Sequence, residues 1–121
     1  MPRTVLIVDD DPGFRAVARA LLEADGEFAA TEAGSGAEAL AAVLRSPPDA
    51  VLLDIGLSDG EDGDGFAVCR ALYGVAPAIP VVLCSAREAE LYGERLARSP
   101  AVGFLAKERL SAGALTRFVT P

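Results

Sequence analysis

Short apolar runs alternate with helical patterns five times along the chain, and no other feature of the sequence constrains the fold as strongly. The runs predict strands over residues 4–9, 28–33, 50–54, 80–85 and 101–106. Because the strands are apolar on both faces and each is followed by a helix, they predict a parallel sheet covered on both sides. With 121 residues and no internal linker, the chain is predicted to form a single α/β domain over residues 1–121.

Local signals place the starts of two helices. Asp11 is the expected N-cap of the first helix, with Pro12 as its first residue. The second helix begins at Ser35, and Glu38, three residues later, completes a capping box. Further helices are predicted over residues 65–73, 87–98 and 111–119, and Gly93 weakens the middle one. The residues expected to mark the apolar faces of the first two helices are Phe14, Val17, Leu21, Leu22, Leu40 and Leu44.

Composition excludes several classes of function. The net charge of −7 disfavours nucleic acid and anionic membranes as direct ligands and favours cations. The absence of histidine excludes histidine metal sites, Ser-His-Asp triads and a role as phosphohistidine donor. Cys69 and Cys84 lie in apolar stretches without zinc-site spacing, so both are expected to be buried, reduced thiols. Neither a signal peptide nor a membrane-spanning run is evident, so a cytoplasmic location is expected.

Polar residues end or follow four of the predicted strands. The first strand runs into Asp9, Asp10 and Asp11, the third ends at Asp54, the fourth ends at Ser85, and the fifth leads to Lys107. Ligands of open parallel sheets bind at the carboxyl ends of the strands, so these side chains are expected to converge on one edge.

The chemistry of these residues indicates a phosphoryl site with a divalent metal. Carboxylates without histidine or cysteine favour Mg²⁺, Mn²⁺ or Ca²⁺ over zinc. Lys107, the only lysine in a chain with ten arginines, supplies a compact positive charge beside the metal, and Ser85 supplies a hydroxyl. No glycine-rich nucleotide loop is present, and an aspartate is the natural acceptor for a covalent phosphoryl group.

The sequence resembles the receiver domain of bacterial two-component response regulators over essentially its whole length. The matching segments are VLIVDDD, DAVLLDIGLSDG with a later DGF, VVLCSA and GFLAK, in order and at fitting spacing. The resemblance implies a flavodoxin-like, doubly wound sheet of five parallel strands in the order 2-1-3-4-5. It implies a signalling switch rather than a conventional enzyme.

The resemblance also implies a role for individual residues. Asp54 would be the phosphoacceptor, and Mg²⁺ (or Mn²⁺) would be bound by Asp10 and Asp54, by Asp9 mainly through a water, and by the backbone carbonyl of Gly56. Lys107 would stabilise the transferring oxygens. The other implied residues are the switch hydroxyl of Ser85, the switch aromatic Phe104 and Asp11, a helix cap outside the metal set.

The implied partner is a sensor histidine kinase or a phosphotransfer protein. Self-dimerisation and an output domain after Pro121 are left open, so the chain can be a complete regulator or the front of a longer one. The alternative function is a receiver-like binding module that never carries phosphate. An aspartate-nucleophile phosphatase and a flavin carrier fit less well, because DIG lacks the Asp-x-Asp pair and DDDPGF is not Ser/Thr/Gly-rich.

Three departures from the family pattern stand out. Ser58 replaces a common proline, and the acidic loop from Asp59 to Asp64 is about two residues longer than usual and is interpreted as a solvated surface loop. Glu108 follows Lys107 where many relatives have proline, so no cis peptide bond is expected there.

Overall fold

A computed structural model describes residues 1–57 and 65–119 of the chain. Five parallel strands form one sheet in the order β2-β1-β3-β4-β5, which confirms the expected fold class and strand order. The strands are β1 (Arg3–Val8), β2 (Phe28–Ala33), β3 (Ala50–Asp54), β4 (Val81–Ser85) and β5 (Gly103–Ala106). The predicted bounds hold for β2 and β3, whereas β1 begins and ends one residue earlier than predicted, β4 begins one residue later and β5 two residues later.

Helices follow each strand. They are α1 (Pro12–Glu23), α2 (Gly36–Arg45), α3 (Gly65–Val75), α4 (Glu94–Arg98) and α5 (Ala112–Val119), with 3₁₀ turns at Ala89–Leu91 and Lys107–Arg109. Within residues 1–57 and 65–119, no helix has the length and apolar character needed to cross a membrane.

The sheet separates two apolar cores, as expected for strands buried on both faces. On β1, Leu6 and Val8 point into the core that α2 and α3 cover. Val5 and Ile7 point into the other core, which α1 and α5 cover. This alternation follows from the two-residue period of side chains along a strand.

Both predicted helix caps are present. The Asp11 carboxylate accepts a hydrogen bond from the Gly13 N–H at 2.9 Å, and Pro12 is the first residue of α1. The Ser35 hydroxyl accepts from the Glu38 N–H at 3.1 Å. The Glu38 carboxylate in turn accepts from the N–H of Gly34, one residue before the cap, at 3.1 Å.

The predicted apolar faces of α1 and α2 were wrong at three positions. Val17, Leu21 and Leu44 are 55%, 41% and 67% exposed, whereas Phe14 and Leu40 are half-buried and Leu22 is fully buried. The residues that the prediction overlooked are small or β-branched and pack against the sheet: Ala18, Ala39 and Val43. Residues four apart form a row along one side of a helix, and two apolar rows can lie side by side. Spacing alone does not tell which of these rows faces the sheet.

The predicted continuous helix over residues 87–98 was also wrong. A 3₁₀ turn at Ala89–Leu91 is separated from the five-residue helix α4 by Gly93, whose φ of +53° lies in the left-handed region. Glycine adopts this conformation without a steric cost because it has no Cβ. Gly93 therefore divides the segment instead of only weakening a helix.

Candidate functional site

Three aspartate carboxylates meet at the carboxyl ends of two neighbouring strands. Asp9 follows β1 directly, Asp54 ends β3, and these strands pair in parallel with Val8 opposite Leu53. Carboxylate oxygens of Asp9, Asp10 and Asp54 lie within 4.8 Å of one another. Asp9 is 1% and Asp54 6% exposed, whereas Asp10 is exposed. The structure therefore brings together the acidic residues that the sequence placed at this edge.

Lys107 supplies positive charge to this cluster. Its Nζ lies 2.7 Å from Asp9 Oδ2 and 3.6 Å from Asp54 Oδ1. The same ammonium lies 4.3 Å from the centre of the Phe14 ring, within the range of a cation–π contact. Burial by itself would lower the pKa of Lys107, but the hydrogen bond to Asp9 and the charges of Asp54 and Asp9 outweigh burial and raise it. The lysine is thus held in its charged form.

The balance of charge is unfavourable for ionised Asp54. Burial, followed by the negative charge of Asp9, raises the pKa of Asp54, and the opposing effects of Lys107 and the Gly56 N–H do not fully offset this. The Gly56 N–H donates to Asp54 Oδ1 at 3.1 Å. Three carboxylates beside one ammonium leave the cluster short of positive charge, and its oxygen donors are those that Mg²⁺ and Mn²⁺ prefer.

Side-chain hydrogen bonds hold the backbone of the loop after β1 in place. The other Asp9 oxygen, Oδ1, accepts from the Asp11 N–H at 2.9 Å. The Arg15 guanidinium donates to the Asp9 carbonyl oxygen at 2.6 Å and to Glu32 Oε1 at 3.0 Å. Arg15 therefore links the start of α1 to the acidic edge and to β2. Nothing in the sequence pattern indicates this contact beyond an arginine on the first helix.

Ser85 ends β4 and is 5% exposed. Its hydroxyl lies 2.6 Å from the Tyr92 hydroxyl, and Ser85 Oγ accepts a hydrogen bond from the Arg87 N–H at 3.0 Å. Ser85, Asp54 and Lys107 all line one open pocket of about 440 Å³. The expected convergence of these three residues on one edge is therefore present.

Phe104 lies in β5 and is half-buried against the core shared with α3. Its ring centre lies 6.3 Å from that of Tyr92, which also contacts Phe66 edge-on at 5.8 Å. Tyr92 was missed by sequence reasoning because it falls inside the segment predicted as a regular helix, and helical spacing gives no indication of a contact with Ser85.

Cys69 and Cys84 are free and buried, as predicted, and burial raises the pKa of both thiols, that of Cys69 to about 11. No described peptide bond is cis, including the one between Lys107 and Glu108. Ser58 and the acidic loop from Asp59 to Asp64 lie outside the described residues.

Replacing Asp54 with asparagine is expected to stabilise the metal-free protein by about 1–2 kcal/mol at pH 7, because a buried carboxylate facing Asp9 is removed. Since the native pKa of Asp54 is raised, its ionisation opposes folding as the pH rises from the usual value of 3.8 through the native value. Urea unfolding in EDTA measures the difference, which should disappear below about pH 3.8. Equal or lower stability of Asp54→Asn at pH 7 would contradict this balance of charges.

Comparisons with known sequences identify the family. A model of the response regulator receiver domain matches residues 5–118. A Pseudomonas aeruginosa protein named as a transcriptional regulator is 36% identical over 108 residues, which cover 88% of this chain and 51% of the relative. The response regulator MprA of Mycobacterium sp. strain KMS is 35% identical over 88 residues, which cover 73% of this chain and 36% of MprA. The chain thus spans about half or less of these relatives' lengths.

Solved structures agree with this assignment. NtrX from Brucella abortus superposes with a TM-score of 0.82 at 27% identity, covering 97% of this chain and 26% of NtrX. A CheY-like receiver domain protein from Methanospirillum hungatei JF-1 has a TM-score of 0.80 at 19% identity, covering 97% of this chain and 90% of that protein, and supports the fold alone. The family match, the strand order and the acidic edge agree, and the chain belongs to the response regulator receiver domain family.

Proposed function

We propose that Asp54 is the phosphoacceptor of this receiver domain and that a sensor histidine kinase or a phosphotransfer protein is the donor. The observation that carries the proposal is the position of the Asp54 carboxylate, which lines an open pocket with Asp9 and Asp10 on one side and Lys107 3.6 Å away. Family membership supports a switch in two-component signalling rather than a conventional enzyme.

The transfer needs only an oxygen nucleophile and charge stabilisation. An Asp54 carboxylate oxygen forms a bond to phosphorus while the bond from phosphorus to the donor's imidazole nitrogen breaks, and that nitrogen keeps the electron pair. Lys107, already next to both Asp9 and Asp54, stabilises negative charge on the transferring oxygens. The Gly56 N–H orients the acceptor carboxylate through its 3.1 Å hydrogen bond to Oδ1.

The residues present fit a divalent cation. Asp10 and Asp54 would bind Mg²⁺ or Mn²⁺ directly, Asp9 mainly through a water, and the Gly56 carbonyl oxygen would complete the protein ligands. The close set of carboxylates, two of them buried, and the raised pKa of Asp54 support this assignment. A bound divalent cation supplies the positive charge that the phosphoryl oxygens need and that one lysine does not provide.

Two residues are proposed to respond to the phosphoryl group. Ser85 would donate its hydroxyl to a phosphoryl oxygen, since it lines the same pocket as Asp54. Phe104 would turn as the packing beside Ser85 changes and would alter the surface near α4 and β5. The output is then a change in affinity for a partner, which is limited by the difference in stability between the two states.

The relatives, one named as a transcriptional regulator and one as the response regulator MprA, are longer than this chain, and we propose an output domain or a second copy as the partner that senses the switch. The free, buried cysteines are in keeping with a reducing cytoplasm. The alternative is a receiver-like module that binds its partner without phosphate.

Intact mass spectrometry after incubation with Mg²⁺ and acetyl phosphate tests the acceptor. The parent is expected to gain one phosphoryl group. The Asp54→Asn variant should gain none because it lacks the proposed acceptor, and the parent in EDTA should gain none because the cation has been removed. Asp25→Asn, in the exposed turn after α1, is a matched control that should react like the parent. No addition to the parent, with Mg²⁺ binding measured separately, would favour the phosphate-independent module.

A further inference from the structure

The hydroxyl of Ser85 already has a side-chain partner, and that partner is Tyr92. The two hydroxyl oxygens lie 2.6 Å apart, and Ser85 is almost fully buried. The second hydrogen bond of Ser85 Oγ comes from the Arg87 N–H at 3.0 Å. Among the described residues, the Ser85 hydroxyl makes these two hydrogen bonds and none to Asp54, although both side chains line the same pocket.

The local backbone brings Tyr92 to this position. Tyr92 follows the 3₁₀ turn at Ala89–Leu91 and precedes Gly93, whose φ of +53° ends that turn before α4 begins. The ring of Tyr92 packs between Phe66 and Phe104, with ring centres 5.8 Å and 6.3 Å away. Two aromatic contacts and one bond between hydroxyl groups therefore fix Tyr92 next to Ser85. Because Tyr92 belongs to the segment that leads into α4, it joins that segment to the acidic edge.

We propose that Tyr92 is the positioning residue that holds the Ser85 hydroxyl away from the acceptor until Asp54 is phosphorylated, and that its release transmits the change to residues 89–98. The inference rests on the proposed phosphorylation of Asp54 and deepens it by naming the connection to the surface. Tyr92 is a positioning residue because it acts through Ser85.

The position of the Ser85 oxygen explains the competition. Ser85 Oγ is held both by the Arg87 N–H and by the Tyr92 hydroxyl, and either hydroxyl can be the donor in the Ser85–Tyr92 bond. When Ser85 Oγ turns towards a phosphoryl oxygen, it moves away from the Tyr92 hydroxyl, whichever of the two was the donor. The Tyr92 hydroxyl then needs a new partner, which water can supply because the pocket of about 440 Å³ is open.

Phe104 does not make this connection by itself. A phenylalanine ring has no hydroxyl and contacts Tyr92 only through ring packing. A change at Ser85 therefore reaches Phe104 through Tyr92, because Tyr92 contacts both residues. The aromatic pair, rather than Phe104 alone, carries the movement towards β5 and α4.

The test removes the Tyr92 hydroxyl and follows phosphorylation by acetyl phosphate and Mg²⁺ with intact mass spectrometry over time. Tyr92→Phe keeps both ring contacts and frees Ser85, so phosphorylation should be about three- to tenfold faster than in the parent, the worth of one hydrogen bond. In a Ser85→Ala background the same substitution should have no effect on the rate. Tyr73→Phe, which removes a half-exposed hydroxyl on α3, is the matched control and should react like the parent.

A second measurement reports on Tyr92 without phosphate. The chain has two tyrosines and no tryptophan, so Tyr73→Phe leaves Tyr92 as the only tyrosine signal in a ¹³C-tyrosine NMR spectrum. In this Tyr73→Phe background, the Tyr92 Cζ resonance should shift when Ser85 is replaced with alanine. With Ser85 in place, it should also shift when Asp54 is phosphorylated.

The outcomes separate the two proposals. A phosphorylated parent with equal rates in Tyr92→Phe, or a Cζ resonance insensitive to Ser85→Ala, would overturn the role of Tyr92 and leave the acceptor assignment intact. A folded parent that gains no phosphoryl group would overturn both proposals. Faster phosphorylation of Tyr92→Phe that depends on Ser85 would support the role of Tyr92.

Discussion

Replacing Gly65 with alanine is expected to destabilise the fold by about 3 kcal/mol or more, although the substitution adds a single methyl group. A Cβ on Gly65 would lie 2.6 Å from Ile55 Cα and 3.0 Å from the Asp54 carbonyl carbon, and closest of all to the Asp54 carbonyl oxygen. These are backbone atoms, so no side chain can move aside to make room. Gly65 also donates its N–H to the Ile55 carbonyl oxygen at 2.9 Å, which joins the start of α3 to the end of β3.

Gly74→Ala, on the same helix, is the matched control. A Cβ there would meet nothing within 4 Å, so alanine should be neutral or stabilising by up to about 1 kcal/mol through helix propensity. Urea unfolding of the parent and both variants at pH 7 measures the difference. Similar stabilities for the Gly65 and Gly74 variants would contradict the tight packing of α3 on the end of β3.

The close approach of Gly65 also bears on the site. The atoms that alanine would displace belong to Asp54, the proposed acceptor, and to its neighbour Ile55. Folded Gly65→Ala protein should therefore be phosphorylated more slowly than folded Gly74→Ala protein, since a shift of the proposed acceptor Asp54 by a fraction of an ångström lowers the rate of a positioned reaction.

The sheet and the acidic edge could be predicted from the sequence because both depend on short-range rules. Apolar runs between helical patterns indicate a parallel sheet, and the topology of such a sheet places the last residue of each strand at one edge. Asp9 and Asp54 are neighbours for this reason, although they are distant in sequence. The helix caps at Asp11 and Ser35 involve residues two or three apart, and they too were predicted correctly.

The parts that the sequence did not predict depend on contacts between elements. Val17 and Leu21 have the same four-residue spacing as Ala18 and Leu22, so either pair could face the core from α1. Only packing against the sheet selects Ala18 and Leu22. Gly93 in a helical pattern predicts a weaker helix, whereas its positive φ produces a complete break. That break places Tyr92 against Ser85, and no pattern in the sequence indicates this contact.

Replacing Lys107 with methionine is expected to reduce the rate of phosphorylation by acetyl phosphate at least about 100-fold, the usual cost of removing a charge that stabilises the transition state. Methionine retains a long, unbranched side chain beside Phe14 but removes the ammonium that lies 2.7 Å from Asp9. Intact mass spectrometry at fixed Mg²⁺ measures the rate. Lys107→Arg keeps the charge and separates the loss of charge from the loss of lysine geometry.

Lys107→Met should also be less stable than the parent by about 2–3 kcal/mol at pH 7, because Asp9 is 1% exposed and loses its nearest cation. This is below the cost for a wholly buried pair because the Lys107 side chain is 21% exposed and partly screened by solvent. In an Asp9→Asn background the substitution should cost less, and the difference measures the coupling between the two charges.

The pH dependence of this stability difference gives an independent check of the charge assignment. The raised pKa of Lys107 means that its contribution to folding is fully present below the usual value of 10.5 and is lost as the pH rises through the native value. The parent and Lys107→Met should therefore differ in urea unfolding at pH 8 and converge in strongly alkaline solution. A constant difference at all pH values would mean that Lys107 acts through packing on Phe14 and not through its charge. Because the proposed mechanism requires that charge next to both Asp9 and Asp54, a constant difference would count against the role of Lys107 in phosphoryl transfer as well.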